Sequence, residues 1–95
     1  MGLGSAQKVK RIEKSTILTR RQIEYLTLIA LGYSNKEISE ILVVTKSTVK
    51  KTLEEIFKRL NARDRANAVT IGFIHQIITQ TVLDDFKKKI LWERV

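Results

Sequence analysis

The chain has 95 residues, no cysteine, and 18 Lys+Arg against 10 Asp+Glu, a formal net charge of +8 at pH 7. That length makes one small domain with a single core and leaves no room for a deep substrate cavity beside it. The lack of cysteine excludes a disulfide framework, a thiol nucleophile and a thiolate metal site, while the basic excess favours polyanions, either nucleic acid or an anionic membrane surface.

Residues 1–16 combine two glycines with a basic run and only weak periodicity. They read as a flexible basic arm or linker, and no apolar stretch follows the lysines as a secretory signal would require. The longest apolar run, residues 71–78, is interrupted by Gly72, His75 and Gln76 and falls short of a membrane span. A cytoplasmic protein with no membrane partner is therefore expected.

Thr19 stands three positions before Gln22, the pattern of a capping box. Ile23, Leu26 and Ala30 follow with helical spacing, widened by Leu28, Ile29 and Leu31, and Gly32 supplies a left-handed closing residue. The spacing predicts a first helix over about 20–31. Ser34 and Glu37 repeat the capping box, with Ile38, Ile41 and Leu42 as the buried face of a short second helix over 35–42.

After Val43 and Val44, Thr45 is placed to cap a longer helix over 46–60. Val49, Leu53, Ile56 and Leu60 recur at i, i+4, i+7 and i+11, one helical stripe. The other side carries Lys46, Ser47, Lys50, Lys51, Glu54 and Lys58. Two helices separated by three residues, the second of them basic, make a helix-turn-helix unit. A helix so anchored has the chemistry to enter a DNA major groove, whose width of roughly 12 Å admits one helix. The competing reading is an ordinary amphipathic helix with a solvated basic face.

Asn61 suits a left-handed closure, and Asp64 caps a fourth helix expected from residue 65 to 78 or beyond. That helix shows two apolar stripes: Ala66, Val69, Phe73 and Ile77 on one, and Ile71, Ile74 and Ile78 on the other. A surface helix of a small domain needs only one, so the second must meet another subunit or the tail. The tail, 80–95, is helical in pattern, with Val82, Phe86 and Ile90 flanked by Leu83 and Leu91. It suits folding back onto the fourth helix, zipping against its own copy, or capping the core.

Several segments together resemble one family. Leu18-Thr19-Arg20-Arg21-Gln22, Gly32-Tyr33-Ser34-Asn35-Lys36-Glu37-Ile38-Ser39, Thr48-Val49-Lys50, Arg59-Leu60 and Arg65-Ala66-Asn67-Ala68-Val69 are similar to the LuxR/GerE-type DNA-binding domain. The match runs in order over residues 18–78. The resemblance implies an all-α fold: a basic arm over 1–16, a four-helix LuxR-type helix-turn-helix domain over 17–79, and a helical extension over 80–95.

It further implies a bacterial transcriptional regulator that binds double-stranded DNA as a homodimer on an inverted-repeat site. Lys50, Lys51 and Glu54 fall where recognition-helix side chains reach base edges. Asn35, Lys36, Thr45, Ser47, Thr48 and Arg65 match positions that hold the phosphate backbone, and Lys46, Lys58, Arg59 and Arg63 would add to the salt-sensitive phosphate attraction. The fourth helix is the usual dimerisation element, with Ile71, Ile74 and Ile78 as its candidate contacts.

Three departures stand out: Thr52 where the family often has histidine, Glu54 where a basic or neutral residue is common, and Val43 where the turn favours glycine. A β-branched residue resists positive φ, so that turn has either another geometry or about 1–3 kcal/mol of strain.

An enzymatic reading finds little to stand on. His75 is the sole histidine and lies in an apolar segment, Ser34 and Thr45 read as caps, and the spacing of Asp84 and Asp85 suggests no metal site. No cofactor is expected. The alternative function is a protein-interaction module, either a polymerase contact like that of sigma-factor region four or a DNA-binding-deficient dimerisation partner.

Overall fold

The computed structural model describes residues 17–94, and the basic arm expected over 1–16 lies outside the described residues. Among the described residues five helices from Arg20 onward follow in order: α1 (Arg20–Ala30), α2 (Asn35–Leu42), α3 (Lys46–Leu60), α4 (Arg65–Ile74) and α5 (Gln80–Arg94). No strand occurs among the described residues.

Short polar side chains start the first four helices. Thr19 Oγ1 accepts from the Gln22 amide at 3.1 Å while Gln22 Oε1 accepts from the Thr19 amide at 2.9 Å. Ser34 and Glu37 make the same reciprocal pair at 3.1 and 2.8 Å. Thr45 takes the Thr48 amide and Asp64 the Asn67 amide. Each such bond satisfies an amide that the helix leaves unpaired, worth typically about 1 kcal/mol.

The four ends share one closure. A residue of positive φ follows each helix: Gly32 (95°), Val43 (56°), Asn61 (56°) and Gln76 (58°). The next amide then returns to a carbonyl five residues back: Tyr33 to Leu28, Val44 to Ser39, Ala62 to Phe57 and Ile77 to Gly72. This is the Schellman motif.

α1 is the hub, packing against α3, α4 and α5, while α2 packs on α3. Leu26, Leu28, Ile38, Val49, Ile56 and Ile78 are fully buried in one cluster. Gly72 permits the close approach of α4 to this cluster. A Cβ there would lie 2.8 Å from Ile78 Cδ1 and 3.0 Å from Leu26 Cδ2.

Two expectations are corrected here. α4 ends at Ile74 rather than continuing to 78, because Gln76 turns left-handed and both the Ile77 and Ile78 amides return to the Gly72 carbonyl. Ile77 and Ile78 thereby enter the core at 2% and 1% exposure, so Ile78 is not a dimer contact. Of the arrangements open to the tail, capping the core is the one observed: α5 packs mainly on α1, and its Leu83 and Ile90 are buried in the core cluster.

Candidate nucleic-acid interface

α3 buries Val49, Leu53, Ile56 and Leu60 and nothing on its opposite side. Lys46, Ser47, Thr48, Lys50, Lys51, Glu54 and Lys58 are all exposed. Helical geometry places residues three and four apart on one face. Ser47, Lys51, Glu54 and Lys58 therefore share a row, with Lys46 and Lys50 beside it. Lys46, Lys50, Lys51, Glu54 and Lys58 form no ion pair among the described residues. Their charge is turned to solvent. The first turn of α3 holds no acidic residue, so the positive end of the helix dipole adds to the lysines.

The turn that presents α3 takes the strained alternative. Val43 adopts φ 56°, ψ 54°, and is 87% exposed. Nothing in the core gains from the side chain.

Two arginines hold α2 at its ends, roles that helical periodicity could not reveal. Arg65, at the start of α4, donates from Nη1 to Asn35 Oδ1 at 2.8 Å and from Nη2 to the Tyr33 carbonyl. Arg21 donates from Nη2 to the Leu42 carbonyl at 3.3 Å and pairs with Glu24 at 3.0 Å, its guanidinium 5.8 Å from the Tyr25 ring centre. Arg65 was expected on the phosphate backbone. Two of its donors are instead committed inside the protein, and with them the Oδ1 of Asn35.

The remaining expected residues divide by position. Lys36 and Arg63 are exposed and free of ion pairs among the described residues. Thr45 Oγ1 caps α3 and also donates to Thr48 Oγ1 at 3.0 Å. Arg59 reaches the Ile17 carbonyl at 3.2 Å and Glu55 at 3.5 Å, which places it at the far end of α3 from the turn. On α4, Phe73 and Ile74 are exposed at 43% and 68%, and Ile71 is half-buried. His75 is exposed and serves as the C-cap of α4. Among the described residues no cluster of His, Cys, Asp or Glu is arranged to hold a metal ion, and no helix is long and apolar enough to cross a membrane.

A short helix, a tight turn and a second helix with an unpaired basic face define a helix-turn-helix DNA-binding domain. The chain belongs to the luxR family of bacterial regulatory proteins, whose profile matches residues 16–71. Membership of that family supports a part in DNA-binding transcription regulation. Over 69 residues it is 44% identical to "Response regulator protein VraR" of Staphylococcus aureus (strains Mu3 and COL) and of Staphylococcus epidermidis. That alignment covers 73% of this chain and 33% of each relative, so the chain spans about a third of the length of the curated relatives it matches. No solved structure matches it significantly.

Proposed function

We propose that the domain recognises a specific duplex sequence by laying α3 in the major groove, as a dimer on an inverted repeat. The observation that carries this reading is the outward face of α3, rich in lysine, unpaired among the described residues, and fixed from behind by four buried side chains. Lys50, Lys51 and Glu54 read base edges. Lys36, Lys46, Ser47, Thr48, Lys58 and Arg63 hold phosphates, with the Asn35 amide nitrogen beside them.

The dimer forms through Phe73 and Ile74, with Ile71 at the edge of the patch, which would set two recognition helices about one turn of DNA apart. The relatives are named response regulators, and we extend that role to this chain as the output element of a signal-responsive regulator acting on cytoplasmic, nucleoid DNA.

Selection of bound sites from random duplexes at two salt concentrations tests the reading. An enriched inverted repeat is expected, and Lys50→Ala should then weaken binding by about 1–3 kcal/mol and relax one base position. Salt-sensitive binding without an enriched sequence would overturn recognition. Co-purification with RNA polymerase in the absence of DNA would favour the polymerase-contact alternative. For the dimer, Ile74→Glu should raise the self-dissociation constant at least tenfold in sedimentation equilibrium, with monomer helicity unchanged.

A further inference from the structure

α5 lies outside the residues matched by the family profile, yet it places charge beside the N-terminal end of α2. An open groove of about 570 Å³ separates the two, lined by Tyr33, Asp84, Lys87, Lys88, Ile90 and Leu91. Tyr33 immediately precedes Ser34, the N-cap of α2, and its carbonyl is the one held by Arg65. Both lysines are exposed and make no ion pair among the described residues. Asp84 is turned toward Gln80, whose Nε2 donates to it at 3.0 Å. Lys89 lines a different cleft, shared with Arg21, Glu24 and Leu42, and lies 6.0 Å from the Phe86 ring centre.

The burial of Leu83 and Ile90 fixes which way the helix faces. Lys87 and Lys88 therefore project from the side of α5 that shares the groove with Tyr33.

We propose that α5 is a second DNA-backbone element: Lys87 and Lys88 hold phosphates of the duplex that lies against the start of α2. The inference rests on α2 approaching the backbone with its N-terminal end. It adds a contact that sequence reading by α3 does not need. Two unpaired ammonium groups over a partly apolar groove suit the phosphodiester chain, since that polyanion already lies along this side of the domain in the proposed complex. Such contacts add affinity and salt sensitivity but no base preference.

The test measures binding to a duplex of arbitrary sequence and to a selected site, each across 50–200 mM salt, by fluorescence anisotropy. For Lys87→Gln/Lys88→Gln, the slope of log affinity against log salt should fall in magnitude by about 1–2 per protomer. Affinity near 0.1 M salt should fall roughly tenfold or more. Lys87→Arg/Lys88→Arg should restore both, which a role in helix packing would not predict, and Asp84→Asn should tighten binding. An unchanged slope for the glutamine double variant, with helicity intact by circular dichroism, overturns the proposal. Because the slope is read on arbitrary sequence as well, failure of specific recognition by α3 leaves this result decisive.

Discussion

After α2 and after α4 the chain makes the same closure with a residue that is not glycine, and then goes in opposite directions. Val43 and Gln76 sit at φ 56° and 58°, and each is followed by an amide that returns to the helix it leaves. Beyond Gln76 the chain drives Ile77 and Ile78 into the core, and Gly72 makes room for Ile78. Beyond Val43 the chain stays at the surface, Val43 itself is 87% exposed, and α3 begins two residues after Val44 is passed, at Lys46. One closure seals the domain; the other aims a helix outward. The same kind of closure can thus serve stability in one place and presentation in another, and the residues just beyond the turn decide between them.

The most forceful way to break this contrast is at Ile78. Ile78→Ala removes a fully buried side chain and should lower unfolding free energy by about 2–5 kcal/mol in urea titration. Ile74→Ala, at 68% exposure, should stay within about 0.5 kcal/mol of the parent when monomer stability is compared. Equal losses at the two positions would mean that α4 runs on past Ile74 and presents both isoleucines alike.

Arg65 sharpens the contrast from the start of α4. It ties that helix to the loop before α2, whose Asn35 and Tyr33 carbonyl accept its donors. Arg65→Gln should reduce stability by about 1.5–3 kcal/mol, the range for hydrogen bonds to a charged group. DNA affinity should fall while the salt slope stays that of the parent, because no phosphate contact is lost. A slope smaller by about 1 would return Arg65 to the backbone contacts.

The parts that a linear reading recovers are those written locally. The capping boxes at Thr19–Gln22 and Ser34–Glu37, and the α3 stripe at Val49, Leu53, Ile56 and Leu60, depend on neighbours three to seven positions away, and the structure shows them as spaced. Ile78 misled because the apolar spacing beyond Ile74 fits a continued helix equally well. Only the partners of Gly72, namely Leu26 and Ile78 itself, show that the chain must reverse there, and Leu26 is 46 positions upstream. The hydrogen bonds of Arg65 and Arg21 could not be read for the same reason: their acceptors are 30 to 32 and 21 positions away. Periodicity carries no information at that range.

Val43 offers the smallest effect and the most direct comparison, with Gly32 as its control. A β-branched residue in the left-handed region costs about 1–2 kcal/mol relative to glycine, while glycine costs about 0.5–1 kcal/mol more to order from the unfolded chain. At 87% exposure the side chain contributes little packing to offset the difference. Val43→Gly should therefore raise stability by roughly 0.5–1 kcal/mol, seen as a shift of the urea midpoint at constant slope. At Gly32 a Cβ would meet no atom within 4 Å, so space is not the obstacle, but φ is 95°. Gly32→Val should be destabilising by at least about 1 kcal/mol for conformational reasons alone. If Val43→Gly instead loses stability, the valine's stiffness is what holds the turn that presents α3, and DNA affinity should fall with it.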